Sequence, residues 1–271
     1  MTDGVELHVQ QRGTTGPLVV ALHGLFGDGD NLAGLAAELA DDHRVLLPDL
    51  RNHGRSPWRE GMALSALAGD VLALLDRLEE PRAWLVGHSL GGKVAMALAL
   101  NQPERVAGLV VGDIAPVAYP PHHQAVFAGL SAVAAAEVGS RAEADALLAR
   151  HVEDPRVRGF LLKSLTRVEG KTPVRFAWRF NWSVLQSDYE ALSAAPAGRA
   201  YEGPALFLKG EQSTYILPEH EAVTRRLFPS FAFRMIAGTG HWLHAEKPQQ
   251  FNRLVRNFLQ GEGSFEGPAA P

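Results

Sequence analysis

Short apolar runs alternate with longer stretches of helical spacing along most of this chain. The runs are Leu18 to Leu22, Arg44 to Leu47, Ala83 to Val86, Leu109 to Val111, Ala205 to Leu208 and Phe231 to Ile236. They are mostly continuous rather than alternating, the pattern of strands buried on both faces. Between them, Leu32, Leu35, Ala36 and Leu39 recur three and four residues apart, as do Leu64, Leu67, Ala68, Val71, Leu72 and Leu75, giving each helix one apolar face. This alternation predicts a mostly parallel central sheet flanked by helices. Glu6 to Gln11, ahead of the first run, predicts an antiparallel edge strand.

The rhythm breaks after Asp113-Ile114-Ala115-Pro116. For about eighty residues no buried-strand signal follows, and a break that long is normally a functional insertion. The expected organisation is a core built from residues 1–116 and 200–260, with a mainly helical cap over 117–199. Within the cap, helices are predicted over Gln124 to Val138 and Arg141 to Val152, and a third is marked by Phe160, Leu161, Ser164, Leu165 and Val168. Phe176, Trp178, Phe180 and Trp182 alternate with Arg175, Ala177, Arg179 and Asn181, which predicts an extended segment. Its aromatic side either faces a pocket or packs beneath the cap. Gly261 to Pro271, rich in Gly, Pro and Ala, is expected to be a disordered tail.

Composition narrows the chemistry. The 271 residues contain no cysteine, which removes disulfides, thiolate nucleophiles and Cys-ligated metals. The N-terminus lacks a basic segment followed by an apolar one, and no apolar run approaches membrane-spanning length. A cytoplasmic protein without a membrane partner is therefore expected. The formal net charge of −4 argues against a nucleic-acid partner. From Arg141 to Arg179, nine Lys or Arg stand against five Asp or Glu, marking either solvated helix faces or a funnel for an anionic substrate.

The segment Gly87-His88-Ser89-Leu90-Gly91-Gly92 follows the run Ala83 to Val86 and opens the helical run Lys93 to Asn101. Strand, sharp turn and helix in that order are the context of a nucleophile elbow, in which glycines let strand and helix pass closely and strain lifts the serine hydroxyl outward. The alternative is a glycine-rich turn that merely joins two elements. A serine hydroxyl needs a base, and neutral imidazole has a suitable pKa. Of eleven histidines, His241 is favoured because it follows the strand ending near Ile236 within Gly238-Thr239-Gly240-His241-Trp242. His244, close to the expected start of a helix at Glu246-Lys247-Pro248, reads as a packing or hydrogen-bonding residue. His23 and His88 adjoin turn glycines and are expected to brace loops.

The base in turn needs a carboxylate to hold its tautomer. Val110-Val111-Gly112-Asp113 places one at the end of a buried strand, at the same sheet edge as Ser89, and Asp113 is assigned that role. Glu211, or an Asp113 that only caps the next segment, are the alternatives. An oxyanion would be held by backbone N–H groups, Leu90 after the nucleophile and Leu25 in the His23-Gly24-Leu25-Phe26-Gly27 loop. Phe26, Trp178, Phe180 and Trp242 are candidate substrate-binding residues.

Taken together, His23-Gly24-Leu25-Phe26-Gly27, Asp49-Leu50-Arg51-Asn52-His53-Gly54-Arg55-Ser56, Gly87-His88-Ser89-Leu90-Gly91-Gly92-Lys93, Asp113-Ile114-Ala115-Pro116 and Gly240-His241-Trp242 resemble the α/β-hydrolases, specifically their YbfF-type esterases. The match runs through nearly the whole chain. It implies the α/β-hydrolase fold and a cofactor-free, metal-free serine carboxylesterase that takes a small-molecule acyl ester through an acyl-enzyme. In most α/β-hydrolases the acid follows the strand read here as Ala205 to Leu208. In the YbfF branch it follows the earlier strand, and a serine in the later place, matched by Ser213, joins the active-site hydrogen bonds. This chain departs from the branch with Gly210-Glu211-Gln212-Ser213-Thr214-Tyr215, where Gly-Gly-Asn-Ser-Pro-Tyr is usual. Trp178-Arg179-Phe180-Asn181 resembles a stretch of the branch's cap, which favours a pocket-facing role for part of it. The same triad could serve an acyl-CoA thioesterase or a carbon-carbon bond hydrolase, and a non-catalytic receptor on this scaffold is the remote alternative.

Overall fold

The computed structural model describes residues 4–262, so most of the expected C-terminal tail lies outside the described residues. Each apolar run becomes a strand. In chain order these begin with β1 (Val9–Arg12), β2 (Leu18–Leu22) and β3 (Arg44–Pro48), with α1 (Ala33–Leu39) between the last two. Then come α2 (Leu64–Arg77), β4 (Ala83–His88), α3 (Leu90–Asn101) and β5 (Val106–Gly112). An insertion follows, comprising α4 (Gln124–Ala135), α5 (Arg141–Leu148), α6 (Pro155–Lys163), β6 (Leu165–Arg167), β7 (Phe176–Trp178), α7 (Trp182–Ser187) and α8 (Tyr189–Ser193). The chain returns to the sheet with β8 (Ala205–Gly210), α9 (Glu221–Leu227) and β9 (Phe231–Ile236), then α10 (Leu243–Glu246) and α11 (Pro248–Leu259).

The strands form a seven-stranded sheet in the order β1-β3-β2-β4-β5-β8-β9. β1 runs antiparallel to β3, and the other pairs are parallel. Strand β2 illustrates why the run is apolar throughout. Val20 and Leu22 enter one core with α2 and α3, whereas Val19 and Ala21 enter a second core with α1 and α11. Successive side chains of a strand point to opposite faces, so a sheet covered on both sides asks for apolar residues at every position.

Helix α3 leaves β4 through close backbone packing. A Cβ on Gly87 would stand 2.2 Å from the carbonyl oxygen of Gly91, and one on Gly91 would stand 2.2 Å from that of Leu22. Only glycine allows this approach, and it brings the start of α3 onto the C-terminal edge of β2 and β4.

The insertion is mainly helical, with boundaries that differ from the periodicity. The helix marked by Phe160 to Val168 instead runs from Pro155 to Lys163, capped by the Asp154 carboxylate on the Arg156 N–H at 2.8 Å. Leu165 is fully buried and starts a hairpin, pairing with Trp178, while the Val168 N–H donates to the Arg175 carbonyl. Cross-strand pairing with a large aromatic thus overrides the apparent helical spacing. The aromatic alternation also ends early. The Asn181 N–H donates to the Asn52 carbonyl on the core, and Trp182 turns into α7. The edge strand begins at Val9, later than expected, where pairing with Pro48 of β3 starts. Among the described residues, no helix is long and apolar enough to cross a membrane.

Candidate active site

Three side chains from separate parts of the chain meet at the C-terminal edge of the sheet. Ser89 sits between β4 and α3 with φ 52° and ψ −117°, a left-handed conformation costly for a residue with a Cβ. Its strain is held by the Ser89 N–H bond to the Gly112 carbonyl at 2.9 Å and by the glycine packing on either side. The Ser89 hydroxyl lies 3.0 Å from His241 Nε2, and His241 Nδ1 lies 2.8 Å from Asp113 Oδ2. Because an ionised carboxylate only accepts, Nδ1 carries the proton and Nε2 presents its lone pair to the serine.

Asp113 follows β5, also at positive φ (51°), and is fully buried. A buried carboxylate must have its lone pairs filled. Here Oδ1 accepts the Gly210 N–H at 3.0 Å, and Oδ2 accepts both the Ser213 hydroxyl and His241 Nδ1–H. Ser213 therefore binds the acid directly. Glu211 does not reach the histidine ring; its carboxylate accepts the Gly238 N–H at 2.8 Å and shapes the loop that carries His241. That loop lies tight on β8, since a Cβ on Gly210 would fall 2.0 Å from the Gly240 carbonyl oxygen.

The other histidines take structural places. His88 Nε2–H donates to the His241 carbonyl at 2.7 Å, fixing the backbone of the histidine loop, and burial pushes its pKa well below the ordinary value. His23 Nε2 accepts the Leu50 N–H at 2.9 Å while Nδ1–H donates to Gly24. His53 does the same one loop along, accepting the Phe26 N–H at 3.2 Å and donating to Arg51, with burial lowering its pKa to about 3. These neutral rings hold the loop from Gly24 to Gly27 against Ser89. His244 packs on His88 with ring centroids 4.3 Å apart, and burial takes its pKa down to about 4. The role of His53 was signalled only by its place in the Arg51-Asn52-His53-Gly54 motif.

Two clefts open from Ser89. The first is walled by Phe26, Val126, Val157, Phe160, Leu161 and Trp242, with Leu25, Ser89 and His241 also lining it. The second includes Leu25, Leu90, Lys93, Tyr119, His123, Tyr189 and Tyr215. As the first residue of α3, Leu90 has an N–H with no partner inside its helix. Lys93 is buried one turn after Ser89, donates to the Ser193 and Ala194 carbonyls at 2.6 Å each, and has its pKa lowered by burial to about 7.

Of the four aromatic candidates, Phe26 and Trp242 line the first cleft. Trp178 and Phe180 do not, which corrects the expectation of a pocket-facing role. Both are buried, stack on each other at 5.3 Å and 12°, and support Phe26 from behind, the Phe26 and Phe180 centroids being 5.3 Å apart. The Trp178 indole N–H is spent on the Leu130 carbonyl at 3.1 Å. Four of the nine basic residues from Arg141 to Arg179 are held in ion pairs, Arg158 with Asp145, Arg156 with Asp154, Arg175 with Glu137 and Arg179 with Asp28. Residues that sequence reasoning passed over are Tyr119, His122, His123, Tyr189 and Tyr215, whose spacing carries no periodic signal. Among the described residues, no cluster of three or more His, Asp or Glu could hold a metal.

A parallel sheet with a strained serine at the β4–α3 turn, facing a histidine and a carboxylate from later strand ends, defines the α/β-hydrolase class. The chain belongs to that family: the model for the alpha/beta hydrolase fold matches residues 17–248. Within it, the chain belongs to the YbfF-type esterase branch. Esterase YbfF of Escherichia coli (strain K12) is 39% identical over 242 residues, covering 89% of this chain and 92% of that protein. The sn-1-specific diacylglycerol lipase ABHD11 of Mus musculus is 41% identical, covering 90% of this chain and 81% of its own. Among solved structures, a marine microorganism esterase superposes with a TM-score of 0.90 at 33% identity, covering 94% of this chain and all of that one.

Proposed function

We propose that this chain is a serine carboxylesterase acting on small to medium acyl esters through Ser89, His241 and Asp113. The observation that carries this reading is the unbroken hydrogen-bond line from Ser89 Oγ through His241 to the buried Asp113. Ser89 Oγ attacks the ester carbonyl carbon while His241 Nε2 takes its proton, and Asp113 stabilises the imidazolium that forms. The Leu25 and Leu90 N–H groups hold the oxyanion; the free first-turn amide of α3 and the loop braced by His53 support that assignment. Collapse expels the alcohol, which leaves with the proton from His241. Water, deprotonated by the same nitrogen, then attacks the acyl-enzyme, and Ser89 regains its proton as the carboxylic acid departs. Ser213 keeps Asp113 oriented. The apolar cleft between Phe26, Phe160 and Trp242 suits an acyl chain, and the insertion acts as the cap that walls it.

A thioesterase acting on acyl-CoA would gain from a basic approach. The outer basin beside Trp242 carries Arg156, Lys163 and Arg179 but also Asp28, Asp30 and Glu246, so its charges balance and lend no preference to an anionic leaving group. Turnover on acyl-CoA relative to uncharged esters is expected to vary little across a salt series. The central test is Ser89→Ala: hydrolysis of an aryl ester should vanish while the thermal transition stays in place, and a fluorophosphonate should label the parent at Ser89 alone. Undiminished turnover by the variant would overturn the assignment.

A further inference from the structure

The ring of Tyr215 lies on the imidazole of His241, with centroids 4.0 Å apart and planes inclined by 21°. No part of the ester mechanism above uses it. Its backbone is fixed by the active-site acid's own partner, because the Tyr215 N–H donates to Ser213 Oγ at 3.2 Å while that hydroxyl binds Asp113. The Tyr215 carbonyl accepts the Tyr119 hydroxyl at 2.5 Å, and Tyr119 in turn accepts the Ala115 N–H at 2.8 Å. At the far end of the ring, the Tyr215 hydroxyl is 2.8 Å from His122 Nε2. His122 Nδ1 is 2.9 Å from the Pro120 carbonyl, which can only accept, so in the neutral ring Nε2 is bare and receives the tyrosine O–H. Tyr215 is thus anchored on the core at its backbone and on the insertion at its hydroxyl.

An imidazole tied at Nδ1 and Nε2 can still tilt about the line joining its two partners. A parallel aromatic ring at 4.0 Å blocks that tilt, since turning the imidazole would drive its edge into the tyrosine. The His88 ring, tilted at 45° and 4.8 Å away, cannot do so as a parallel wall would. The tyrosine face also favours the imidazolium that forms during attack.

We propose that Tyr215 is a positioning residue for His241, its ring keeping the imidazole in line with Ser89 and Asp113 while its hydroxyl ties that hold to His122 on the insertion. The inference rests on the Ser89-His241-Asp113 reading. It gives the insertion a second task besides walling the cleft, since the seat of His122 bears on the geometry of the base.

Tyr215 also borders both clefts, so a purely substrate-contacting role is the competing explanation. Kinetics on a series of aryl esters from acetate to octanoate separates the two. Tyr215→Leu should lower kcat about tenfold for every chain length with KM little changed, because a base displaced by a fraction of an ångström slows the chemical step itself. The rate of Ser89 phosphonylation by a small fluorophosphonate should fall by the same factor. Tyr215→Trp should restore most of the loss, and Tyr215→Phe, which keeps the stack but drops the His122 bond, should cost about two- to threefold. His122→Ala, a substitution on the surface, should match Tyr215→Phe and adds no further loss when combined with it. Loss confined to KM, or growing with chain length, overturns the proposal, as does a phosphonylation rate equal to the parent's. If Tyr215→Leu fails to fold, the Tyr215→Phe and His122→Ala pair decides by whether their effects merge or add. Activity surviving in Ser89→Ala would instead refute the triad reading, so the two failures are distinguishable.

Discussion

The sheet edge and the insertion build opposite sides of one cleft by different physical means. At the sheet edge, backbone packs on backbone. Gly87, Gly91 and Gly210 each stand where a Cβ would fall within 2.2 Å of a carbonyl oxygen, and the polar groups between them are neutral imidazoles and a carboxylate with its lone pairs filled. The insertion is fastened by individual side chains: Arg179 on Asp28, Asn181 on Asn52, Lys93 on the Ser193 and Ala194 carbonyls, Asp188 on the Met62 N–H, and the Ser164 hydroxyl on the Phe26 carbonyl. Close-packed backbone has no soft coordinate along which a strained serine could relax, whereas side-chain tethers can be exchanged one at a time. On the proposed reading the reacting groups sit on the stiff side, while the insertion contributes Val126, Val157, Phe160 and Leu161 to the cleft walls.

That contrast can be broken most severely at Asp113. Asp113→Asn should lower kcat by about 10⁴, the loss seen when the acid of such a triad becomes an amide. Glu211→Gln, in the loop that only shapes the approach, should change kcat by no more than about twofold, since its Gly238 bond survives with an amide oxygen. A reversed ranking in steady-state kinetics would move the acid to the later strand. Next in size, Gly91→Ala forces a methyl against the Leu22 carbonyl and should cost about 3 kcal/mol or more, read as a lower denaturant midpoint with every ester equally affected.

Acid should loosen the same stiff side. Burial lowers the pKa of His53 to about 3 and of His244 to about 4, and lowers those of His23 and His88 too. Each is neutral when folded and takes a proton on unfolding once the pH falls below the unfolded value of about 6.5. The folded state therefore keeps its full stability above pH 6.5 and loses it as pH falls from there toward 3. Each histidine contributes about 1.4 kcal/mol per pH unit within its window. Denaturant melts between pH 7 and 4 should show this, and His53→Gln should make the slope shallower by about one proton.

Arg179→Met should cost less stability than Gly91→Ala. It leaves the buried Asp28 carboxylate without its guanidinium, costing about 1 to 2 kcal/mol. Its kinetic effect should depend on acyl length, as expected of a moved wall rather than a moved nucleophile. An equal loss of kcat on short and long esters would mean that the tether serves the chemistry as well, and would erase the division between the two sides.

Much of the stiff side was legible in the residues because its requirements are local. An apolar run buried on two faces, a helix with one apolar stripe and a serine turn that demands glycines all depend on neighbours a few positions away, and β2, α2 and the Ser89 elbow each carry their signal within one short segment. The insertion was legible as a break in rhythm, but its interior was not. The spacing of Phe160, Leu161, Ser164 and Leu165 suggested a continuing helix until the pairing of Leu165 with Trp178 was formed. Trp178 and Phe180 face the core because Phe26, far away in sequence, needs a floor there.

The chain by itself determined the class of fold, the strained serine and the short set of groups able to work with it. Only the folded arrangement decided which of them meet. His241 reaches Asp113 across 128 positions of sequence and Ser89 across 152, and Tyr215, after β8, joins them from a fourth strand end. Periodicity and turn chemistry are properties of adjacent residues. A hydrogen bond or a ring stack between distant ones exists only after the sheet has brought its strand ends to one edge.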